Sequence, residues 1–564
     1  MSSLQVYNSR GNKYARIVES YRDPVTKKPK TRILKNLGRV DALESREPGI
    51  IDRLKRECVE SKEMNRSLKQ EALMRNIEKH MGKGGEEAAR GYPARNYGVK
   101  VYQKIWDELK LDNFFEYRKK KDSRIEYKIE DVISMLVMSR LMDAGSKKRS
   151  YENKDHYITA KEMGLEQVYR ALPFLAREKE ELEKHINKQL SQKMKRNLGV
   201  AFYDVTTYYF ESVRADDLKK FGYSKDNKVN QVQVVMGLLI DEAGIPISYE
   251  LFPGNTSDFT TLIPIMNELK KRYGINKMIL TADRGLNSGQ NLTYLKQMGF
   301  DYVMGYKIRS ASQVVREYIL DESGYTQQGD GFKWKICNLD REIQFNGEKK
   351  TLQDNLILTW SAKRAEKDRA DRERLIEKSK RLVESGSALK AELKKGGKKY
   401  VQMTFIAEEQ ASFNRKQVER DEQLDGYYGI QTSDKDLTAG KAIEIYQGLW
   451  KIEESFRVLK TNFEARPIFV WTEESIRGHF VICYLALVIQ RYLEYKLRES
   501  SLNLSTERIQ DALRSAKITV LPGLKSSGQD YYIKNESNED FSSILAAQGI
   551  PEIPVYGLLG DILR

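Results

Sequence analysis

The segment LGVAFYDVTTYYFES, residues 198–212, carries the pattern on which the predicted fold rests. It begins with small and apolar residues, it is rich in the β-branched and aromatic residues that favour strands, and it has an acid, Asp204, at its centre. A carboxylate inside an apolar strand is costly to bury unless a cation neutralises it. The alternative, a plain surface charge, fits this apolar setting poorly, so we predict a core strand that carries a functional acid.

The following residues predict the rest of a mixed sheet. A second strand at 232–240 (VQVVMGLLI) is separated by the turn DEAG from a third at 245–252 (IPISYELF), which is the pattern of a β-hairpin. The loop PGNTSD at 253–258 supplies side chains that can cap a following helix. A short apolar strand at 277–282 (KMILTA) then ends at Asp283. The predicted order is therefore strand, hairpin, helix and strand.

Asp204 and Asp283 can lie side by side if their strands are neighbours in the sheet. Each acid taken alone could be a surface charge or a helix cap, but two adjacent carboxylates require a cation to neutralise them. Mg²⁺ binds carboxylate and phosphate oxygens, and two such ions can hold both oxygens of an in-line displacement at phosphorus. The pair therefore predicts metal-assisted phosphoryl transfer.

A third acid lies in residues 446–460, YQGLWKIEESFRVLK, which read as one helix. One face of this helix places Glu453 among aromatic and cationic residues, and Trp450 and Arg457 flank that stripe. Glu454 points about 100° away from this stripe, so Glu453 is the expected ligand. The alternative is an amphipathic helix whose charges form a solvated edge. At helical spacing, the residues on the stripe are Tyr446, Leu449, Glu453, Phe456 and Lys460.

Composition indicates a globular protein of two to four domains with a polyanionic partner. The chain has 564 residues, 40% of them hydrophobic, with 97 Lys and Arg against 81 Asp and Glu, a net charge of +16. A basic excess of this size usually indicates nucleic acid. We expect no membrane partner, because no apolar run reaches the roughly 20 residues that a membrane span needs.

The cysteines and histidines exclude other site classes. Cys58, Cys337 and Cys483 lie far apart without a CxxC pair, and the N-terminus has no signal-peptide pattern. The four histidines are scattered without metal-ligand spacing. We therefore expect a cytoplasmic, reduced protein without a zinc site, whose metal chemistry uses carboxylates.

The N-terminal third predicts DNA-binding elements. Residues 14–22 and 31–37 alternate as a basic β-hairpin, and a charged helix follows from about 43 to 80. Residues 82–92 are a candidate linker.

A helical domain is predicted next, with helices at 99–109, 130–142 and 160–196. The basic run between the first two of these helices includes Lys119 and Lys120, which we expect to contact DNA. A plain helical domain with solvated lysines is the alternative.

These motifs resemble the DDE transposases of bacterial insertion sequences, in the group whose RNase H-like core is interrupted by a β-rich insertion and whose signature helix carries Tyr, Arg, Glu and Lys. The resemblance covers about residues 198–490 and touches LGR at 37–39. The matching motifs, in order, are FYDVTTYYFES for the first acid, PGNTSD for the following loop, TADRGLNS for the second acid and YQGLWKIEESFRVLK for the final helix.

The resemblance implies that Asp204, Asp283 and Glu453 are the catalytic triad, which binds two magnesium ions that manganese can replace. It also implies DNA phosphate contacts for Tyr446 and Lys460 near the cleaved end.

Leu449 stands where the group has its arginine, so three of the four signature residues match. Arg457 or Lys451 could supply the missing charge. The remaining DNA-binding candidates are Trp450 and Arg284.

The predicted fold class is α/β, an RNase H-like mixed sheet flanked by helices and interrupted by a β-rich insertion, with a helical N-terminal DNA-binding region and C-terminal helices. The predicted domains are 1–95, a β-hairpin and helices that bind DNA ends; 96–197, helical; 198–309, first part of the catalytic core; 310–430, the insertion; 431–495, second part of the core with the signature helix; and 496–564, C-terminal helices and a polar tail from about 523.

Within the insertion, residues 361–395 predict a long exposed helix of mixed charge, which is either solvated or in contact with DNA. Trp334 and Trp360 are candidates for stacking on a displaced base, as the resemblance implies, with core packing as the alternative.

The expected function is magnesium-dependent cleavage of transposon ends and strand transfer into target DNA, by a cut-and-paste route through a hairpin intermediate. Double-stranded DNA, both inverted-repeat ends and target, is the expected partner of a homodimer in the synaptic complex, in the bacterial cytoplasm at the nucleoid. The alternatives are a metal-dependent nuclease that never joins strands and a DNA-binding regulator derived from a transposase.

Overall fold

The structure, a computed structural model, describes residues 2–9, 11–22, 29–60, 71, 75, 92, 94–122, 125–194, 196–211, 214–222, 231–273, 275, 277–384, 401–406, 408–466, 468–521 and 530–563. The chain divides into two compact units, one comprising residues 1–95, 517–536 and 553–564 and the other comprising 96–516 and 537–552.

The strands are β1 (Ser2–Ser9), β2 (Asn12–Arg22), β3 (Pro29–Arg39), β4 (Ala94–Asn96), β5 (Val200–Tyr209), β6 (Gln233–Asp241), β7 (Pro246–Pro253), β8 (Ile279–Ala282), β9 (Asp301–Tyr306), β10 (Thr326–Gln327), β11 (Phe332–Phe345), β12 (Glu348–Ser361), β13 (Val401–Ile406), β14 (Glu408–Phe413), β15 (Tyr427–Thr432), β16 (Lys517–Leu521), β17 (Tyr531–Lys534) and β18 (Tyr556–Leu558). The helices are α1 (Val40–Arg46), α2 (Val99–Glu108), α3 (Leu111–Lys119), α4 (Ile129–Met142), α5 (Lys147–Glu152), α6 (Leu165–Lys193), α7 (Asp258–Tyr273), α8 (Gly289–Met298), α9 (Gln313–Leu320), α10 (Ala362–Glu384), α11 (Arg415–Glu422), α12 (Ala439–Gln447), α13 (Trp450–Arg457), α14 (Glu473–Glu499), α15 (Thr506–Ser515), α16 (Glu539–Ala547) and α17 (Leu559–Ile562).

The first unit begins with a three-stranded antiparallel sheet in the order β1-β2-β3. The predicted hairpin corresponds to β2 and β3, and β1 adds a strand that the sequence analysis missed. Gly11, with a φ of +80°, provides the left-handed backbone of the turn between β1 and β2. The N-terminal region is therefore built on a sheet as well as helices. Most of the helix predicted from 43 to 80 and of the linker predicted at 82–92 lies outside the described residues.

The second unit is organised around a nine-stranded mixed sheet in the order β10-β11-β12-β15-β9-β8-β5-β6-β7. Strand β5 pairs antiparallel with β6 and parallel with β8, and β8 pairs parallel with β9. Every strand predicted between 198 and 282 forms within a few residues of its predicted ends, because each has a strong apolar pattern.

Helices cover both faces of this sheet. Alternate residues of β5, Ala201, Tyr203 and Val205, join one core cluster with apolar residues of α7, including Leu262. On the opposite face, the ring of Tyr208 meets that of Phe480 in α14 at a centroid distance of 5.1 Å. Strand β5 is therefore a buried central strand whose two faces contact different helices.

Helix α14 is long and apolar enough to cross a membrane by length and composition, but 94% of its most apolar window is buried inside the structure. That burial is the mark of a core helix. Residues 480–489 of this helix are all buried.

Most strands of the region predicted as an insertion join the central sheet, and only β13 and β14, among the described residues, pair as a separate two-stranded sheet. Strands β11 and β12 form a long hairpin, and β12 pairs with β15, which pairs with β9, so these strands extend the central sheet. The alternation of β11 could not reveal this, because it shows that a strand has two faces but not which strand lies beside it.

The charged helix α10 is only partly exposed. Arg372 is buried and pairs with Asp425 and with Glu422, at 3.1 Å for the latter, so a cation anchors the helix to the residues before β15. The prediction of a fully exposed helix was wrong in this respect, because helical periodicity does not reveal an ion-pair partner distant in sequence. The predicted extension to 395 lies outside the described residues.

Trp360 packs at the edge of a core cluster, and its indole N–H donates to the carbonyl of Asp425 at 3.1 Å. Trp334 is half-buried. Core packing is therefore the observed role of Trp360.

The C-terminal tail, predicted to be polar and unpatterned from 523, folds where the structure describes it. Strands β16, β17 and β18 form a four-stranded sheet with β4, while Phe541 and Ile544 of α16 are buried. Elements this short carry too few residues for a periodic signal.

An ion pair buried beside the first core strand generates a stability prediction. The Arg196 Nε donates to Asp241 Oδ2 at 2.6 Å, both side chains are about 1% exposed, and Arg196 also donates to the carbonyl of Pro246. Replacing Arg196 by Ala leaves the Asp241 carboxylate buried without its cation, which we expect to lower the free energy of unfolding by about 3–5 kcal/mol. Urea denaturation measures the change. Arg415→Ala, at a site 86% exposed, is the control and should change it by less than about 1 kcal/mol.

A buried lysine generates a pH prediction. The Lys147 Nζ lies 2.9 Å from His479 Nδ1, and burial, with the charge of Arg140, lowers the pKa of Lys147 to about 7. Between about pH 7 and 10.5 the unfolded chain therefore binds more protons than the folded chain, so the free energy of unfolding should rise with pH by up to about 1.4 kcal/mol per unit. Denaturation at pH 7 and pH 9 should show a smaller rise for Lys147→Met than for the wild type. An equal rise in both proteins would mean that Lys147 stays charged in the folded state.

Candidate active site

The segment predicted as one helix from 446 to 460 is three pieces. Helix α12 ends at Gln447, α13 begins at Trp450, and a π-helical turn at Val458–Asn462 contains Lys460. A Cβ placed on Gly448 would lie 2.5 Å from the ring of Phe202, so glycine allows the chain to approach β5 at this break.

Along α13 the buried and exposed residues lie on adjoining faces. Leu449 and Phe456 are buried, whereas Glu453, between them in the predicted stripe, is exposed. Glu453 therefore lies at the solvent edge of the buried face, as the alternative of an amphipathic helix with a solvated charged edge predicts.

The segment nevertheless lies along the face of β5 that carries Asp204. Phe202, Asp204, Thr206 and Tyr208 alternate along the strand and therefore point to one face. Phe202 contacts the chain at Gly448, and Thr206 accepts a 2.6 Å hydrogen bond from the Lys460 ammonium. Helix α13, which contains Glu453, connects these two contact points.

The strand register brings Asp204 and Asp283 together. In the parallel pair β5–β8, Tyr203 lies opposite Ala282, so the next position on each strand is Asp204 on one and Asp283 on the other. Neighbouring strands are about 4.8 Å apart, and paired residues share a face. Asp204 is half-buried, while Asp283, directly after β8, is exposed.

The donor chemistry of these residues suits a hard divalent cation, since carboxylate oxygens on neighbouring strands are ligands that Mg²⁺ takes. In the part of the chain that the structure describes, however, no three Asp, Glu, His or Cys side chains lie close enough together to hold a metal ion. Glu453 lies in the first turn of α13 and is not clustered with the two aspartates.

Tyr446 reaches the same face of the sheet through a second tyrosine. Its hydroxyl is hydrogen-bonded to the Tyr428 hydroxyl, and a Cβ on Gly305 would lie 2.5 Å from the Tyr446 oxygen. Gly305 follows Met304, which pairs with Ala282, so Tyr446 lies next to the position of Asp283. Burial, followed by the negative influence of Tyr428 and Asp283, raises the pKa of Tyr446, which therefore stays a protonated hydroxyl.

The arginine absent from position 449 is not replaced from the signature segment. Leu449 is buried, Arg457 pairs with Glu454 at 3.5 Å, and the Lys451 ammonium donates to the carbonyl of Glu242 at 2.6 Å. The arginines beside the Tyr446–Tyr428 pair, Arg364 and Arg284, come from outside the signature segment. Arg364 of α10 lies 4.4 Å above the ring of Tyr428, and the charge of Arg284 lowers the pKa of both tyrosines against the stronger effect of burial.

Tyr428, Arg364 and Thr206 were missed by the sequence analysis. They belong to β15, α10 and β5, and no local pattern links them, because only pairing across the sheet places β15 beside β9.

The other predicted DNA-binding residues are dispersed. Trp450 is 57% exposed at the start of α13, Lys119 is half-buried at the end of α3, and Lys120 is exposed and pairs with Glu116 at 3.7 Å. Arg118, in the same basic run, pairs with Glu178 of α6. The basic run is thus partly engaged in pairs within its own helical domain.

Comparison with known proteins identifies the family. Residues 197–489, about half of the chain, match the model of the transposase DDE domain. The chain belongs to the DDE transposases of insertion sequences. Residues 4–80 match the N-terminal domain of the IS1634 family transposases. The predicted family and the prediction of an enzyme that acts on DNA are therefore confirmed.

Several solved transposase structures also match. A piggyBac transposase synaptic complex with hairpin DNA is 10% identical over 81% of this chain and 86% of that chain, with a TM-score of 0.35. A Mos1 paired-end complex with the left transposon end is 14% identical over 30% of this chain and 57% of that chain, with a TM-score of 0.14. A pre-cleavage Mos1 transpososome is 15% identical over 30% of this chain and 58% of that chain, also with a TM-score of 0.14. No curated protein matches the sequence.

Proposed function

We propose that this transposase cuts DNA at the ends of its own element and joins the freed 3′ ends to target DNA, on a core of the RNase H type. The observation that carries the proposal is the β5–β8 register, which sets Asp204 beside Asp283. The first five core strands in chain order are β5, β6, β7, β8 and β9. Across the sheet they lie in the order β7-β6-β5-β8-β9, and only β6 runs antiparallel to β5. This arrangement supports the RNase H-like assignment.

In this proposal Asp204, Asp283 and Glu453 hold two magnesium ions, which manganese can replace. The adjacent strand positions of the aspartates support the first two ligands, and the passage of α13 along the same face of β5 supports the third. Bound there, the metal supplies Lewis-acid stabilisation to the attacking and leaving oxygens of phosphoryl transfer.

The chain's own side chains position the DNA. Thr206 holds the Lys460 ammonium two residues from Asp204 on the same face, where it can neutralise a phosphate at the cleavage point. Because one hydroxyl of the Tyr446–Tyr428 pair donates to the other, the pair can donate one hydrogen bond to a phosphate oxygen beside Asp283. Trp450 offers an exposed ring three residues before Glu453 for an unpaired base.

The proposed reaction begins when water attacks phosphorus at the element end and breaks its bond to the 3′ oxygen. The freed 3′-OH attacks phosphorus in the opposite strand, which forms the hairpin and displaces the 3′ oxygen of the flanking DNA. A second water attacks the hairpin phosphorus and releases the 3′-OH again, and this 3′-OH attacks target DNA and displaces a target 3′ oxygen. Arg284 and Arg457 are exposed cations available to the duplex. A net charge of +16 supports DNA as the partner of a dimeric synaptic complex in the bacterial cytoplasm.

One observation favours a second candidate, a DNA-binding regulator derived from a transposase. The described part of the chain holds no gathered three-acid cluster, and Glu453 is exposed. A nuclease that cuts without joining would use the same acids, and only detection of joined strands separates it from a transposase.

Replacing Asp204 by Ala should abolish cleavage and leave DNA affinity within about threefold, because the change removes a ligand without removing a cation. Purified proteins with magnesium and a duplex containing the element end, resolved on a denaturing gel, give cut and joined products. Asp340→Ala, an exposed acid on β11 of the same sheet, is the matched control and should cut normally. Residual cutting by Asp204→Ala would remove this residue from the triad, and a wild type that binds without cutting would favour the regulator.

Replacing Lys460 by Ala should slow strand joining by about tenfold or more, and joining more than first-strand cutting, because a charge-assisted phosphate contact contributes about 1.5–3 kcal/mol. Single-turnover assays on uncut and precut ends separate the two steps. Lys460→Arg should restore part of the rate, and Lys441→Ala, an exposed lysine of α12 paired with Glu444, should behave as the wild type. Equal joining by Lys460→Ala and the wild type would return Lys460 to a structural role.

A further inference from the structure

A cavity of about 590 Å³ opens beside Arg284, the residue directly after Asp283. It lies where β8 and β9 end, and five cationic side chains line it against two acidic ones. Its volume is in the range of small-ligand sites and exceeds that of a single phosphate group. The cations among the lining residues are Arg284, Lys307, Arg309, Arg364 and Lys367.

A continuous set of contacts joins this cavity to the proposed active site. The Arg364 guanidinium lies over the ring of Tyr428, whose hydroxyl is bonded to that of Tyr446 beside the Asp283 position. Arg364 comes from α10 and Tyr446 from α12, so a residue of the inserted segment is linked to the signature tyrosine through Tyr428. A ligand in the cavity would therefore sit one side chain away from the signature tyrosine.

The Arg364 guanidinium is only partly engaged by the protein. Its Nε is buried and has no hydrogen-bond acceptor among the residues that the structure describes, and the Asp368 carboxylate is 3.7 Å away, within ion-pair distance but beyond hydrogen-bond reach. The side chain is 42% exposed. Arg309, by contrast, donates to the Asp421 carbonyl and also pairs with the Asp421 and Asp425 carboxylates.

The two acids of the cavity balance part of its positive charge. Asp368 accepts from the backbone N–H of Gly426 at 3.1 Å and lies within ion-pair distance of Arg364 at 3.7 Å and of Arg309 at 3.9 Å, while Asp371 pairs with Arg374 at 3.4 Å. Five cations against two acids still give the cavity a net positive lining.

We propose that this cavity binds a phosphodiester group of DNA adjacent to the scissile one, with Arg364 and Arg284 supplying the guanidinium charge that Leu449 does not provide. The inference rests on the proposed function and assigns the substrate contacts of that site. A guanidinium is planar and presents parallel donors to two phosphate oxygens, which suits it to this role. The phosphate belongs either to the element end or to the target duplex.

The test neutralises one phosphate and one arginine in combination. Duplexes carrying the element end, or a target sequence, are made with a single neutral methylphosphonate at each backbone position in turn, and binding is measured without divalent metal. For the wild type, one position should weaken binding by about tenfold. Arg364→Gln should lose a similar factor on unmodified DNA, show no further loss at that position, and lower the salt slope by about one.

Arg369→Gln, at an exposed arginine of the same helix that does not line the cavity, is the matched control and should retain the full sensitivity of the wild type. The coupling is the loss of the methylphosphonate effect at that position when Arg364 is replaced. Arg364→Lys keeps a cation and should recover part of the methylphosphonate effect, and equal melting temperatures of the variants show that they are folded.

Coupling with the end duplex assigns the cavity to the element end, and coupling with the target duplex alone assigns it to the target. If Arg364→Gln is as sensitive as the wild type at every position of both duplexes, the inference is wrong.

The outcomes separate this inference from the proposed function. Because binding is measured without metal, a wild type that shows the coupling but never cuts would support the cavity and contradict the transposition chemistry. A wild type that cuts and joins DNA without the coupling would do the reverse.

Discussion

The parallel pairing of β5 with β8 is the contact on which the rest of this molecule depends. One register, Tyr203 opposite Ala282, makes Asp204 and Asp283 neighbours. A slip of one residue would turn either acid to the opposite face, which is filled by α7 and closed to solvent. The apolar residues that alternate with the acids hold this register, since Ala201, Tyr203 and Ala282 are all fully buried. Packing on one face of the sheet thus sets the chemistry on the other.

The second face is shaped by a helix that is interrupted. Gly448 lets the chain turn against Phe202, and the π-helical turn brings Lys460 to Thr206, so both ends of the segment are attached to β5. A straight helix would be anchored along one buried stripe and could not meet the strand at both points. Because α13 is attached at each end, the exposed Glu453 remains over the strand that carries Asp204.

The strands of the inserted region give the site a second group of cations. Since β12 pairs with β15, and β15 with β9, the residues around α10 are carried to the edge of the core where β8 ends. The buried ion pairs of Arg372 anchor α10 there. Arg364 then faces Tyr428 and, through it, Tyr446. A charge absent from one helix of a DNA-processing enzyme can in this way be supplied by an element more than eighty residues earlier in the chain.

The sequence alone was sufficient for the strands around Asp204 and Asp283 and for the family, because a buried strand and a set of ordered motifs are local signals, while the role of the three acids stays a prediction. It was insufficient for the break at Gly448, where the chain packs on the ring of Phe202, for the burial of Arg372, whose partners lie near β15, and for the place of Tyr428 and Arg364 beside Tyr446. Each of these depends on contacts between residues far apart in the chain. Periodicity reports which face of an element is apolar, and only the folded sheet decides which element lies against that face.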